Sequence, residues 1–92
     1  MAVKWTTKAL NDAERLCLFL AQYDRDVASS LAQKLRETPV RLVSHPRLGE
    51  RVDSYILREV RKLSIGRYVM HYELRDNDIL ILRIWHGREE RR

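Results

Sequence analysis

The spacing of apolar residues changes partway along the chain, and that change limits the folds open to it. In the first half they recur every three or four positions, whereas in the second they alternate or run together. A chain with helices first and strands after must lay an apolar helical stripe on one face of a sheet. Ala9, Leu10, Ala13, Leu16, Cys17 and Leu20 form such a stripe, widened by Phe19 and Tyr23, with Thr6 or Thr7 offering the N-cap hydroxyl. Asp24 or Asp26 can cap a second helix, whose stripe runs Val27, Leu31, Leu35 and Leu42. Pro39 falls inside it, and a proline costs a helix interior roughly 3 kcal/mol, so a kink or break is predicted there. The short connection makes the pair an antiparallel hairpin.

Val3–Thr6 alternates over a short run and reads as an edge or second strand. Ser44 to Gly49 is turn chemistry, with the loop continuing to Ser54. Ile56–Ile65 reads as a strand in which Val60 and Leu63 cannot share a face unless a bulge near Arg61–Lys62 intervenes. After a turn at Gly66–Arg67, Tyr68, Met70, Tyr72 and Leu74 alternate with polar or smaller residues. Arg75 to Asp78 is a hairpin turn, and Ile79–His86 is apolar on both faces apart from Arg83, the mark of a central strand. The expected fold is α+β, β-α-α-β-β-β, with a helical hairpin on one face of a small, mainly antiparallel four-stranded sheet. Leu10, Leu16, Leu20, Leu31 and Leu35 should be buried against Leu80, Leu82 and Ile84.

At 92 residues the chain suits one domain, residues 1–92, and a 45% hydrophobic content is too high for a disordered segment. No run approaches the ~20 apolar residues of a membrane span. The start, Met1 to Trp5, has no long apolar stretch, and Cys17 is the only cysteine. A cytoplasmic protein without disulfides or a cysteine-built metal site is therefore expected. The net charge of +5 divides as +2 up to Pro46 and +3 after it, so there is no basic arm. Such a surface permits contact with nucleic acid or an acidic protein.

Glycine-rich phosphate loops, Gly-x-Ser-x-Gly and helical histidine pairs are all missing, so no cofactor or metal is expected. His45 reads as a loop residue and His71 as a surface or rim residue. The C-terminal segment carries more chemistry. RNA cleavage through its own 2′-hydroxyl needs a base, an acid and a cation for the pentacoordinate phosphate. His86 supplies an imidazole, Arg61, Arg83 and Arg88 supply charge, and Glu59 or Glu73 a carboxylate. The plainer expectation is that Arg83 pairs with Glu59 or Glu73 across the sheet.

Several segments, in order, carry a resemblance. They are Trp5-Thr6 before a helix, His45-Pro46-Arg47-Leu48-Gly49 before the sheet, and Arg58-Glu59-Val60-Arg61-Lys62-Leu63. Tyr68-Val69-Met70-His71-Tyr72-Glu73-Leu74 follows, then Asp76-Asn77-Asp78 and the closing Trp85-His86-Gly87-Arg88-Glu89. Over nearly its whole length the chain resembles the RelE/ParE superfamily, the toxins of bacterial type II toxin–antitoxin modules. The resemblance implies growth inhibition, plasmid stabilisation, and silencing by a cognate antitoxin, a small, partly disordered protein. RelE-like members cut mRNA on the ribosome, whereas ParE-like members poison DNA gyrase. The RelE-like pattern opens a strand with Tyr-Arg, but here Val69 follows Tyr68, with Arg67 just before. Arg88 matches that pattern's basic position after the last strand, and Arg61 a lysine of the preceding strand, while its closing tyrosine has no counterpart. The wording from Tyr68 to Met70 and from Trp85 to Arg88 lies closer to the ParE side. The resemblance thus implies a gyrase inhibitor without a catalytic site. The alternatives are a ribosome-dependent mRNA endonuclease using His86, Arg88, Arg83 and Arg61, and a non-toxic binding module of the same fold.

Overall fold

The computed structural model describes residues 1–89, and the charged residues 90–92 that close the sequence lie outside them. The elements are β1 (Val3–Trp5), α1 (Thr7–Ala21), α2 (Arg25–Ser44), β2 (Glu50–Arg51), β3 (Glu59–Ile65), β4 (Tyr68–Arg75) and β5 (Asp78–His86). The strands form one sheet in the order β1-β5-β4-β3-β2, with β1 parallel to β5 and the other pairs antiparallel. The fold is α+β, with the helix pair on one face of the sheet.

Local chemistry fixes the ends of the elements. Thr6 is the N-cap of α1: its hydroxyl accepts the Ala9 N–H at 3.1 Å and donates to the Leu82 carbonyl at 3.0 Å, tying the helix start to β5. Asp24 caps α2 by accepting the N–H groups of Asp26 and Val27. Asp76 and Asn77, both at positive φ, close the β4–β5 hairpin in two residues, a geometry their short polar side chains tolerate. The core is built from Leu16, Leu31, Leu35 and Leu42 of the helices against Met70, Tyr72, Ile79, Ile81 and Ile84 of the sheet.

The structure corrects the sequence reading in five places. The sheet has five strands rather than four, because Glu50–Arg51 pairs with Lys62 and Arg61. Two polar residues carry no periodicity, so this strand left no signal. β3 begins at Glu59 rather than Ile56, leaving Ile56 and Leu57 as exposed loop residues. The bulge lies in β5, not β3: His71 pairs with Arg83 and Tyr72 with Ile81, so Leu82 is the extra residue. Val60 and Leu63 point to opposite faces of a regular strand instead. The bulge also reverses the phase of β5, which buries Ile79, Ile81 and Ile84 and leaves Leu80 and Leu82 only half-buried, while Leu10 is exposed. Finally, of the kink or break expected at Pro39 the break does not occur, since α2 continues through it. The ring is buried, and Leu35 and Leu42 anchor the helix to the core on either side of it, which offsets the missing N–H.

Among the described residues, no helix is long and apolar enough to cross a membrane.

Candidate functional site

The four basic candidates do not converge. His86 ends β5, its ring edge-on to Tyr68 with centroids 5.2 Å apart. Its Nδ1 accepts the Arg88 N–H at 3.1 Å, which fixes the ring in the turn that follows. The Arg88 side chain extends from that turn into solvent. Arg61 pairs with Tyr72, which lies four residues along β4 from Tyr68, the partner of His86. With β4 between them, the Arg61 and His86 backbones are about 16 Å apart at ordinary strand rise and spacing. The Arg61 guanidinium also donates to Glu59 at 2.9 Å and to the Gly49 carbonyl at 2.7 Å.

Arg83 does not pair with Glu59 or Glu73. Its guanidinium grips Asp12 of α1, with Nε at 2.7 Å and Nη2 at 3.2 Å from the carboxylate oxygens. Asp12 sits on the buried face of α1 with Ala9 and Leu16, and also accepts the Ile84 backbone N–H at 2.9 Å. Burial pushes its carboxyl up, yet the hydrogen bonds from Arg83 and Ile84 and the charges of Arg83 and Arg15 outweigh this and hold it below the ordinary carboxylate range. The reason for the arrangement is topological. β1 covers β5 only as far as Ile81, so among the described residues the rest of β5 has no neighbouring strand on that side. Thr6 takes the Leu82 carbonyl, Asp12 the Ile84 N–H and Glu89 the His86 N–H, so side chains cap this exposed edge. Glu89 in turn pairs with Arg15 at 3.0 Å, fastening the post-β5 turn to α1.

The two expected carboxylates have partners of their own. Glu73, almost wholly buried, takes a two-pronged contact from Arg58 at 3.2 and 2.8 Å. Glu59 accepts from Arg47 and Arg61; burial raises its carboxyl, but these two guanidiniums win and lower it. Nearby, Tyr72 Oη donates to the Pro46 carbonyl at 2.7 Å and accepts the Gly49 N–H at 2.9 Å. This network straps the loop after α2 onto the sheet. These contacts hold structure. Among the described residues no three of His, Cys, Asp and Glu gather as a metal site would require.

What the surface does offer is apolar concavity. A groove of about 770 Å³ runs between the helices and β1, lined by Trp5, Leu10, Cys17, Pro39, Val40 and Val43, with Glu14 and Arg36 alongside. A second, of about 720 Å³, lies under the other end of α1, where Phe19, Leu20, Val27, Tyr68 and His86 meet Arg15 and Arg67. Leu10, Phe19, Val27 and Val40 are each about half exposed or more, an unusual cost for a small protein that works alone. Sequence reasoning assigned Leu10 and Phe19 to the core stripe; the signal it passed over was that α1 carries more apolar positions than one buried face can use. Burial raises the Cys17 thiol, so this cysteine is a packing residue of the first groove.

Comparison with known proteins agrees with the architecture. The sequence profile of the family described as "ParE toxin of type II toxin-antitoxin system, parDE" matches residues 3–91. A solved structure of the "Chromosomal ParDE TA system from P. aeruginosa" superposes with a TM-score of 0.72 at 23% identity, covering 94% of this chain and 95% of the other. No curated protein matches the sequence.

Proposed function

The chain belongs to the ParE toxin family of type II toxin–antitoxin systems, and from that premise we propose that it inhibits DNA gyrase and is silenced by a cognate antitoxin. The observation that carries this reading is the family match over residues 3–91. The dispersal of His86, Arg88, Arg83 and Arg61 supports it from the side of chemistry. An mRNA endonuclease needs acid, base and cation within reach of one phosphate. Here Arg61 and Arg83 are each committed to a carboxylate, and Arg61 stands two strands from His86.

The antitoxin contributes an amphipathic segment that is partly disordered when free and folds into the two apolar grooves. Groove residues such as Trp5, Val40, Phe19 and Val27 accept its apolar anchors, which supply most of the affinity. Arg36, Arg15 and Arg67 at the margins favour acidic residues on the incoming segment and speed its association.

The experiment compares two activities of the purified chain: gyrase supercoiling of closed-circular DNA, and message cleavage in a cell-free translation mix. Inhibition of supercoiling without message fragments is expected, reversed by stoichiometric antitoxin. Fragmented message with supercoiling intact would replace this reading with the endonuclease. Expression without any growth defect would remove the toxin reading altogether.

A further inference from the structure

The face of the sheet turned away from the helices carries a feature that neither the antitoxin grooves nor the gyrase reading uses. β4 side chains alternate, and Met70 and Tyr72 enter the core, so His71 and Glu73 lie on the opposite face. There Lys62, His71 and Arg83 stand in one cross-strand row. Trp85 sits two residues on from Arg83, with the His71 ring edge-on at 4.6 Å and the Arg83 guanidinium over its ring at 5.2 Å. From the β2–β3 loop Arg58 lies over the Tyr55 ring at 5.1 Å. Tyr55, Arg58, His71, Arg83 and Trp85, with Thr6, Lys8 and Leu82, line a hollow of about 360 Å³, and Lys62 stands beside it as the cross-strand neighbour of His71.

Two guanidiniums are built alike here. Asp12 holds Arg83 and Glu73 holds Arg58, each through Nε and Nη2, while an aromatic ring packs on the guanidinium. Both cations are thereby fixed before any ligand arrives, which lowers the ordering cost of binding. Among the described residues no carboxylate lines the hollow itself; Asp12 and Glu73 grip the arginines from outside it. Lys8 and Lys62 have no ion pair among the described residues, so the local balance is positive. The lining thus offers flat π surfaces, flat cations and hydrogen-bond donors. Its complement is a planar group rich in acceptors and joined to an anion.

We propose that this hollow binds a nucleotide unit of unpaired nucleic acid, the base resting among Tyr55, Trp85 and the two guanidiniums and the phosphates running along Lys8 and Lys62. Stacking on aromatic and arginine planes is how single strands are bound without sequence preference. A hollow of about 360 Å³ has room for one nucleotide, and its ring surfaces need an unstacked base, which a duplex does not present. The site is a binding platform, and the proposal stands or falls independently of the gyrase and antitoxin reading.

The test uses the full chain with Trp5→Phe, which leaves Trp85 as the only tryptophan. It is titrated at low salt with a single-stranded deoxythymidine decamer, a duplex of equal length, thymidine monophosphate, and an acidic peptide containing tyrosine. The decamer should quench Trp85 fluorescence saturably, bind at least tenfold more tightly than the duplex or the mononucleotide, and weaken as salt rises. Lys8→Glu with Lys62→Glu should weaken it tenfold or more, and Tyr55→Ala fivefold or more, with circular dichroism and Tm unchanged. Equal binding of duplex and single strand without quenching would overturn the proposal, as would parental affinity in both folded variants. Tighter binding of the peptide than of the decamer would assign the hollow to a protein ligand instead.

Discussion

Replacing Asp12 separates two contributions that the chain makes through one carboxylate. One oxygen takes both the Arg83 Nε and the Ile84 N–H, the other takes Arg83 Nη2. Asp12→Ala removes every acceptor. It strands the Ile84 N–H on a strand edge that no other strand among the described residues covers, at a cost of about 1–3 kcal/mol for an unsatisfied buried donor. It also releases Arg83. A fully buried pair broken from one side costs about 3–5 kcal/mol, but the Arg83 side chain is 37% exposed, so water takes up its charge and about 1 kcal/mol remains. The expected loss is therefore about 3 kcal/mol, or a Tm fall of roughly 12–24 °C for a domain of this size. Asp12→Asn keeps a carbonyl oxygen for Ile84 and forfeits only the charge, for about 1 kcal/mol and roughly 4–8 °C. Calorimetry or urea unfolding at neutral pH reads both. A double-mutant cycle with Arg83→Met should return a coupling of about 1 kcal/mol between the pair. If Ala and Asn cost the same, the Ile84 cap has no energetic role; if both leave Tm within about 2 °C, the edge-capping argument is wrong.

The remaining expectations follow from the same contacts. Asp12 and Glu59 both have lowered carboxyl pKa values, so their stabilisation is complete above the ordinary carboxylate range, about pH 4–5, and is lost as pH falls through the folded values. Urea midpoints should thus drop below pH 4, less steeply in Asp12→Asn, and a flat profile to pH 2.5 would contradict the shifts. Ile81→Ala should cost about 2–5 kcal/mol, and Leu82→Ala clearly less, because the bulge buries the first and leaves the second half-covered; the reverse order in urea melts would misplace the bulge. Gly49→Ala should destabilise, since a Cβ there would meet the Lys62 carbonyl at 2.7 Å and the Tyr72 hydroxyl at 2.9 Å; an unchanged Tm would mean the loop strap is slack. His86→Ala, if folded, should leave growth inhibition largely intact and Arg88→Ala should weaken it modestly, whereas general acid–base catalysis would be felt as a loss of about 10²–10⁴-fold.

Much of the architecture could be read from periodicity because the burial is one-sided. The stripe Leu16, Leu31, Leu35 and Leu42, the two cap residues and the Asp76–Asn77 turn each follow from a local rule, and the structure keeps them. The failures share a different origin: each depends on what a distant segment does. β2 exists only because β3 offers it partners, and the phase of β5 is set by one extra residue that no local pattern marks. The Arg83 partner was sought across the sheet, where charges commonly meet, while the carboxylate came from the buried stripe of a helix 71 residues earlier. A signal was present. Asp12 falls three residues after Ala9 and four before Leu16, and a carboxylate on a buried stripe is tolerated only with a cation to match. An arginine inside an apolar strand poses the same question from the other side, and the two answer each other.

α1 joins the features that bear on function. Its buried face carries Asp12, which closes the free edge of β5, and residues on either flank line the two apolar grooves. Arg15, on the same helix, fastens the turn after β5 through Glu89 and also borders the second groove. An acidic residue arriving in that groove therefore competes with Glu89 for a guanidinium that is already exposed, at little energetic cost. The Asp12–Arg83 pair is different in kind. Its carboxylate is buried and also holds backbone, so displacing it would open the sheet edge rather than merely free a side chain. On the function proposed above, an incoming segment would disturb only the exposed Arg15–Glu89 pair, while the buried Asp12–Arg83 pair keeps the sheet edge closed.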